Sequence, residues 1–236
     1  HARSSEASEA YKTQNILHPI SVNTTMHITK ADITSMDRIE RLHLINSLSG
    51  IKPVNLIGSA DADGNENLAI FSSVVHLGSN PGLFGFILRP QGDVRRHTYE
   101  NIQATSEYTI NFVHTTFMKE AHLTSIKAED NVSEFELSGL TPEHIADFKA
   151  PFVKESAIKL GMSFKQEVPI ELNGTSLIIG QVEHIILPDG AMDDGGHFDL
   201  GAHNVAGLSG LNTYYSLKKE ARYPYVRDEF TLEDLG

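Results

Sequence analysis

The chain has 236 residues, of which 40% are hydrophobic and 21% charged, with 18 Gly and 9 Pro spread along it. It has no cysteine, which excludes disulfide scaffolds, zinc–thiolate sites, iron–sulfur clusters and thiol catalysis. Lys plus Arg number 19 against 31 Asp plus Glu, a formal net charge of -12, so most of the surface repels nucleic acid and anionic lipid.

This length is routine for one β-barrel-type domain, and such a chain buries roughly 70–75% of its unfolded surface. No apolar run approaches the roughly 20 residues that span a bilayer, so no membrane partner and a cytoplasmic location are expected. Residues 1–33 are polar and aperiodic and predict a flexible arm or leader, with one domain over 34–236. The opening HARSSEASEA lacks the apolar stretch of a signal peptide.

Thr34 with Asp37 fits a capping box, and Ile39, Leu42, Ile45 and Leu48 follow at helical spacing. Gly50 and Pro53 close that helix. The chain then turns β-rich. Strands are expected over 53–60, 67–77 and 83–88, with turns at Asp61–Gly64 and Ser79–Gly82 and a break at Ser72-Ser73. Thr98 reads as the N-cap of a short helix over 99–104, and 108–113 as a strand. A short amphipathic helix over 116–127 and a loop-rich stretch over 128–155 come next. Strands over 157–170 and 175–187 flank Asn173-Gly174, a strong hairpin signal. LKKEAR near the C-terminus reads as helical. Many short strands with few helices predict a mainly β fold, a β-barrel with a few peripheral α-helices.

The segment Arg89–Asn101 concentrates positive charge in an acidic protein, with Arg89, Arg95, Arg96 and His97 ahead of the helix opened by Thr98. Helix N-termini present free N–H groups to anions, and arginine forks match phosphate oxygens, so this pattern suits a phosphate. A solvated loop whose arginines pair with surface acids fits the same composition. Ser72 and Ser73, with Asn67 and Asn111, offer hydrogen bonds to a ligand or, equally, to a bulge in their own backbone.

Twelve histidines raise the question of a metal. Asp193, Asp194, His197, Asp199 and His203 form the densest group, but their spacing matches no established ligand motif and a flexible loop explains it as well. His76 and His114 read as core or rim histidines. No G-x-S-x-G elbow and no G-x-G-x-x-G fingerprint is present, which argues against a nucleophilic serine and a Rossmann site.

Seven pieces in this order resemble the flavin reductase-like family, the FMN-binding split barrels that include flavoredoxin, from about Arg41 to Tyr214. Asp61–Gly64 followed by Asn67-Leu68-Ala69-Ile70-Phe71-Ser72 is similar to the family's D-x-D-G-x-x-N-x-A-P-x-S. Asn80-Pro81-Gly82, the strand Leu83–Leu88, Arg96–Asn101, Ile110-Asn111, Phe135–Pro142 and Gly207–Tyr214 supply the rest. Ile70 stands where the family usually has Pro, His97 where it has Asp, and Thr213-Tyr214 where it has Arg-Tyr.

The resemblance implies a split barrel that binds FMN. The phosphate would be held by Arg95, Arg96, His97 and Thr98, with Arg89 nearby. The isoalloxazine would lie along Leu68, Ala69, Ile70, Phe71, Ser72 and Ser73, beside Asn67 and Asn111. It also implies a homodimer with flavin at the interface. Hydride passing from NAD(P)H to the flavin needs no side-chain acid or base, so no catalytic residue is named. The alternatives are an FMN-binding electron carrier reduced by a partner protein and, remotely, a metal-dependent hydrolase using 193–203.

Overall fold

The structure, a computed structural model, describes residues 25–90, 96–126, 132–145, 147–226 and 231–232. The chain divides into two units, residues 1–41 and 42–236. In the first, Thr29 caps α1 (Lys30–Ser35) through a capping box with Asp32. The box expected at Thr34 is therefore displaced; the Thr34 hydroxyl donates to the Lys30 carbonyl inside α1. Met36 turns extended (ψ 147°) and ends that helix. Asp37 starts α2 (Arg38–Ser47) by accepting the Ile39 N–H, so two short helices replace the expected single one.

The second unit follows the predicted strand pattern. It contains β1 (Lys52–Pro53), β2 (Asn55–Ala60), β3 (Glu66–Phe71), β4 (Val75–Ser79) and β5 (Gly82–Leu88). Then come α3 (His97–Thr105), β6 (Glu107–Phe112), α4 (Met118–Leu123), α5 (Glu134–Ser138), β7 (Pro142–Glu143) and β8 (Phe152–Val153). The last elements are β9 (Lys159–Ile170), β10 (Thr175–Ile186), β11 (Ala206–Ser209) and β12 (Thr213–Ser216).

Local chemistry explains the hairpins. The Asp61 carboxylate accepts the N–H groups of Asp63 and Asn65 and the Asn65 side-chain amide, while Gly64 takes a left-handed φ of 88°. Asn173 does the same for the β9–β10 turn, accepting from Thr175, with Gly174 at φ 70°. LKKEAR forms no helix. Lys219 and Arg222 instead reach Asp199 and Asp193, and those long-range ion pairs hold the segment in an irregular path.

Seven strands form one antiparallel sheet in the order β3-β2-β6-β9-β10-β5-β4. The outermost strands, β3 and β4, are consecutive in the chain and separated by residues 72–74 alone. Four Cα steps reach roughly 14 Å at most, so the sheet must curl until the end of β3 lies close to the start of β4. Ser73 fastens that closure: its Oγ accepts the Ile87 N–H at 3.0 Å, and Phe71 meets Phe86 edge-on at 4.9 Å. Inside the curl pack Ile57, Phe86, Ile102, Tyr108, Ile110, Met162 and Ile178. Val54, Leu56, Leu68, Val113, Phe135, Val153 and Leu208 form a second core on the opposite face, because successive strand residues point to opposite sides. The expected mainly β split barrel with peripheral helices is what the chain builds.

Candidate functional site

The N-terminal end of β3 and the start of α3 come together. Asn67 Nδ2 donates to Thr98 Oγ1 at 3.0 Å, both residues being buried. Thr98 is not the N-cap: it lies in the first turn, and Arg96 occupies the cap position with no side-chain cap bond. The Thr98 hydroxyl is therefore spent on Asn67 rather than on closing the helix. Deeper along α3, Asn101 Nδ2 donates to Ser59 Oγ at 3.2 Å, and the Tyr99 hydroxyl donates to Glu167 Oε2 at 2.9 Å. These bonds fix α3 to β2 and β9, and so fix where its N-terminus points.

Arg96 is half-buried, and its Nε is fully enclosed with no hydrogen-bond partner among the described residues. His97 is half-buried; Arg89 is exposed just past the end of β5. Arg95 lies outside the described residues.

Along β3 the predicted set divides by strand alternation. Leu68 is fully buried, and Ile70 packs on the same core face. Asn67, Ala69 and Phe71 take the other face, where Phe71 joins the barrel interior. The backbone divides as well. Val113 donates its N–H to the Val54 carbonyl, so Val54, Leu56 and Gly58 turn their backbone groups toward β6. Leu68 and Ile70 stand opposite Gly58 and Leu56 and so point theirs away from β2, along the open sheet edge. At Leu68 that outward N–H is met by Glu134 Oε2 at 3.0 Å. At Ile70 no described group meets it.

Ser72 is half-buried and has no hydrogen bond among the described residues, whereas the Ser73 hydroxyl is committed to Ile87. Asn111 is fully buried. Its Nδ2 donates to the Leu56 carbonyl and Thr109 Oγ1, and its Oδ1 accepts the Val153 N–H. That amide braces β2, β6 and β8 from the core, not from an open face.

Two more residues border this region: Glu134, which the sequence did not single out, and Tyr214, which entered only through the family resemblance. Glu134, in the first turn of α5, is nine-tenths buried against the β3 edge; the capping Ser133 was its one local signal. Tyr214 sits across from His122, its hydroxyl 3.0 Å from Nδ1, and burial pushes the phenol up to about 12, so it stays neutral at physiological pH.

The Asp/His loop has a different use. Asp193 Oδ1 accepts from Gly195 and His197 N–H groups while Oδ2 pairs with Arg222, and Asp199 is shared between Gly201, Ala202 and Lys219. Among the described residues no cluster of three His, Asp or Glu could hold a metal, so the hydrolase reading finds no ligand set. His114 bonds Thr116 through Nδ1. No helix among the described residues is long and apolar enough to cross a membrane.

A curled antiparallel sheet with an open edge strand beside the start of a short helix defines the class: a mainly β split barrel. The family model for the flavin reductase like domain matches residues 50–204, more than half of the chain, and the chain belongs to that family. It is 46% identical to a split-barrel protein from Shewanella frigidimarina, provisionally named a flavin reductase, with a TM-score of 0.83 over 86% of this chain and all of that one. Nitrilotriacetate monooxygenase component B from Bacillus cereus superposes at a TM-score of 0.74, with 20% identity over 85% of this chain and 99% of its own. Flavoredoxin of Desulfovibrio vulgaris follows at 0.63, with 19% identity over 78% and 93%. The last two are likenesses of fold alone.

Proposed function

We propose that this chain is a flavin-dependent oxidoreductase that binds FMN and reduces it with NAD(P)H. One observation carries the reading: the outward backbone edge of β3 at Ile70 lies in the same strand as Asn67, whose bond to Thr98 joins that strand to the first turn of α3. The pyrimidine side of an isoalloxazine presents one N–H between two carbonyls. Facing it, the outward Ile70 N–H can donate to one ring carbonyl, the Ile70 carbonyl can accept the ring N–H, and the Ser72 hydroxyl can rotate to donate to the other ring carbonyl.

Arg96, His97 and Thr98 suit the terminal phosphate, with Arg95 and Arg89 adjoining them in sequence. The buried Arg96 Nε supports this fit, since an enclosed donor without a partner costs about 1–3 kcal/mol and an anion would satisfy it. One cationic turn suits one phosphate, and so FMN rather than FAD. Leu68 by its side chain, Ser73 and Asn111 serve the scaffold.

Flavin, when bound, supplies the two-electron chemistry, and the chain's residues bind and orient it. We assign no side-chain acid or base. Homodimerisation, with the flavin at the interface, belongs to the same reading. Its support is a set of exposed apolar residues, Leu42, Ile45, Leu48 and Ile51. A second reading, an FMN electron carrier reduced by a protein, is favoured by the -12 charge, which suits docking to a basic partner.

Anaerobic titration of the FMN-loaded protein with NADH and then NADPH tests the choice. Bleaching of the visible flavin band by one of them is expected. Bound flavin that neither bleaches leaves the carrier. Protein that takes up no FMN overturns both readings.

A further inference from the structure

We infer that Glu134 is a positioning residue for the flavin: by capping the Leu68 N–H it fixes where the open edge of β3 begins, and its carboxylate tunes the ease of flavin reduction. The inference rests on the flavin reading above and concerns a residue that reading does not use.

An edge strand shows a row of unpaired backbone groups, and each one left accessible is a possible docking register. On β3 the outward groups belong to Leu68 and Ile70, two residues apart in the strand. A planar ring that accepts from one strand N–H and donates its own N–H to the carbonyl of the same residue can bind at either position unless one is blocked. Glu134 blocks the first. Its Oε2 lies 3.0 Å from the Leu68 nitrogen, in the place a strand partner would occupy.

The block is rigid because α5 is held at both ends and from below. Ser133 Oγ accepts the Phe135 N–H, and Gly139 closes the helix with a φ of 73°. Phe135 is buried in the same core as Leu68. Glu134 and the strand it caps therefore move together.

The carboxylate also has an electrostatic consequence. It is nine-tenths buried and bonded to a residue two positions from the proposed docking point, so water screens it poorly. Two-electron reduction of flavin with uptake of one proton leaves the ring with one added negative charge. A neighbouring carboxylate opposes that charge, and removing its formal charge favours the reduced form.

Glu134→Gln separates the two roles, since its amide oxygen still accepts the Leu68 N–H while the charge is gone. The measurements are thermal stability of the apoprotein, FMN affinity by fluorescence titration, and the midpoint potential of the bound FMN. Glu134→Gln is expected to keep stability and affinity within a factor of three. It should shift the oxidised–reduced equilibrium at least tenfold toward reduced flavin, about 30 mV for a two-electron couple. Glu134→Ala, which also unblocks Leu68, is expected to weaken FMN at least tenfold, and Glu134→Gln to restore it. An unchanged potential in Glu134→Gln, or a loss in Glu134→Ala confined to thermal stability, overturns the inference and leaves flavin binding standing. Wild-type protein that binds no FMN overturns the flavin reading itself.

Discussion

Asn67 donates to Thr98 across 31 residues of sequence, and this one buried hydrogen bond of 3.0 Å joins the strand edge to the helix that opens beside it. A hydroxyl that accepts from an amide keeps its own hydrogen for a second partner. Asn67 thereby orients Thr98 as a donor, and in the flavin reading the phosphate receives it.

Thr98→Val removes that donor while preserving shape. A hydrogen bond to a charged group contributes about 1.5–3 kcal/mol, so FMN affinity should fall by about tenfold or more. Arg96→Ala should cost a similar amount, because it removes the enclosed Nε along with the charge. Fluorescence titration measures both. Wild-type affinity in the two variants would place the phosphate elsewhere.

Inside the barrel, Tyr108 fills the space that Gly180 leaves. A β-carbon at 180 would lie 2.2 Å from the tyrosine hydroxyl, which is buried and makes no hydrogen bond, and desolvation holds its pKa far above the ordinary phenol value. Gly180→Ala is expected to destabilise by about 1–3 kcal/mol through overpacking. Tyr108→Phe, which deletes an unpaired buried group, should be neutral or mildly stabilising. Combining them should recover part of the Gly180→Ala loss and no more, since ring carbon Cζ at 2.9 Å and the Ser163 carbonyl at 3.0 Å remain in the way. Urea denaturation of the four proteins checks the coupling; strict additivity would refute it.

Asp193 and Asp199 give the C-terminal segment a pH dependence. The His197 N–H, and after it Arg222, hold the Asp193 carboxyl below its usual range; Lys219 and then the Ala202 N–H do the same for Asp199. Folded pKa values below the unfolded one, about 3.9, stabilise the fold above roughly pH 4, and that contribution is lost as pH falls through the folded values. Carboxyl NMR titration should find both midpoints below the ordinary value, and Arg222→Ala should raise that of Asp193. Ordinary midpoints in the wild type would show that the clasp does not persist in solution.

The apolar residues Leu42 and Ile45 on α2 and Leu48 and Ile51 just beyond it should mediate self-association. Ile45, 48% exposed, tolerates a charge in the isolated chain but not in an interface. Ile45→Glu is expected to convert a dimer to a monomer in sedimentation analysis, with little change in thermal stability beyond that from dissociation. A wild-type monomer, or an undisturbed dimer in the variant, rules that face out.

What could be read from the chain and what could not divide along a physical line. Asp61–Gly64 and Asn173-Gly174 were legible as turns because the turn residue bonds its own neighbours and the glycine supplies the left-handed backbone. Apolar runs bounded by turn residues made the strands legible, and the order of the pieces between Asp61 and Tyr214 led to the family. Thr98, by contrast, carries every local mark of an N-cap, yet a residue 31 positions away takes its hydroxyl. Asn111, read from the sequence as a hydrogen-bond partner for a ligand or for backbone, braces three strands.

Sequence by itself determined the long strands of the barrel, its sharp turns and its kinship, which depend on interactions within a few residues or on apolar runs between turn residues. Tertiary structure alone decided that β3 and β4 stand at opposite edges of one sheet, that Ser73 is spent on Ile87 while Ser72 is not, and that Glu134 covers one backbone donor and leaves the next open. Those outcomes depend on register and docking between segments distant in the chain, and the free energy of a hydrogen bond is set by the partner that arrives, which no local window contains.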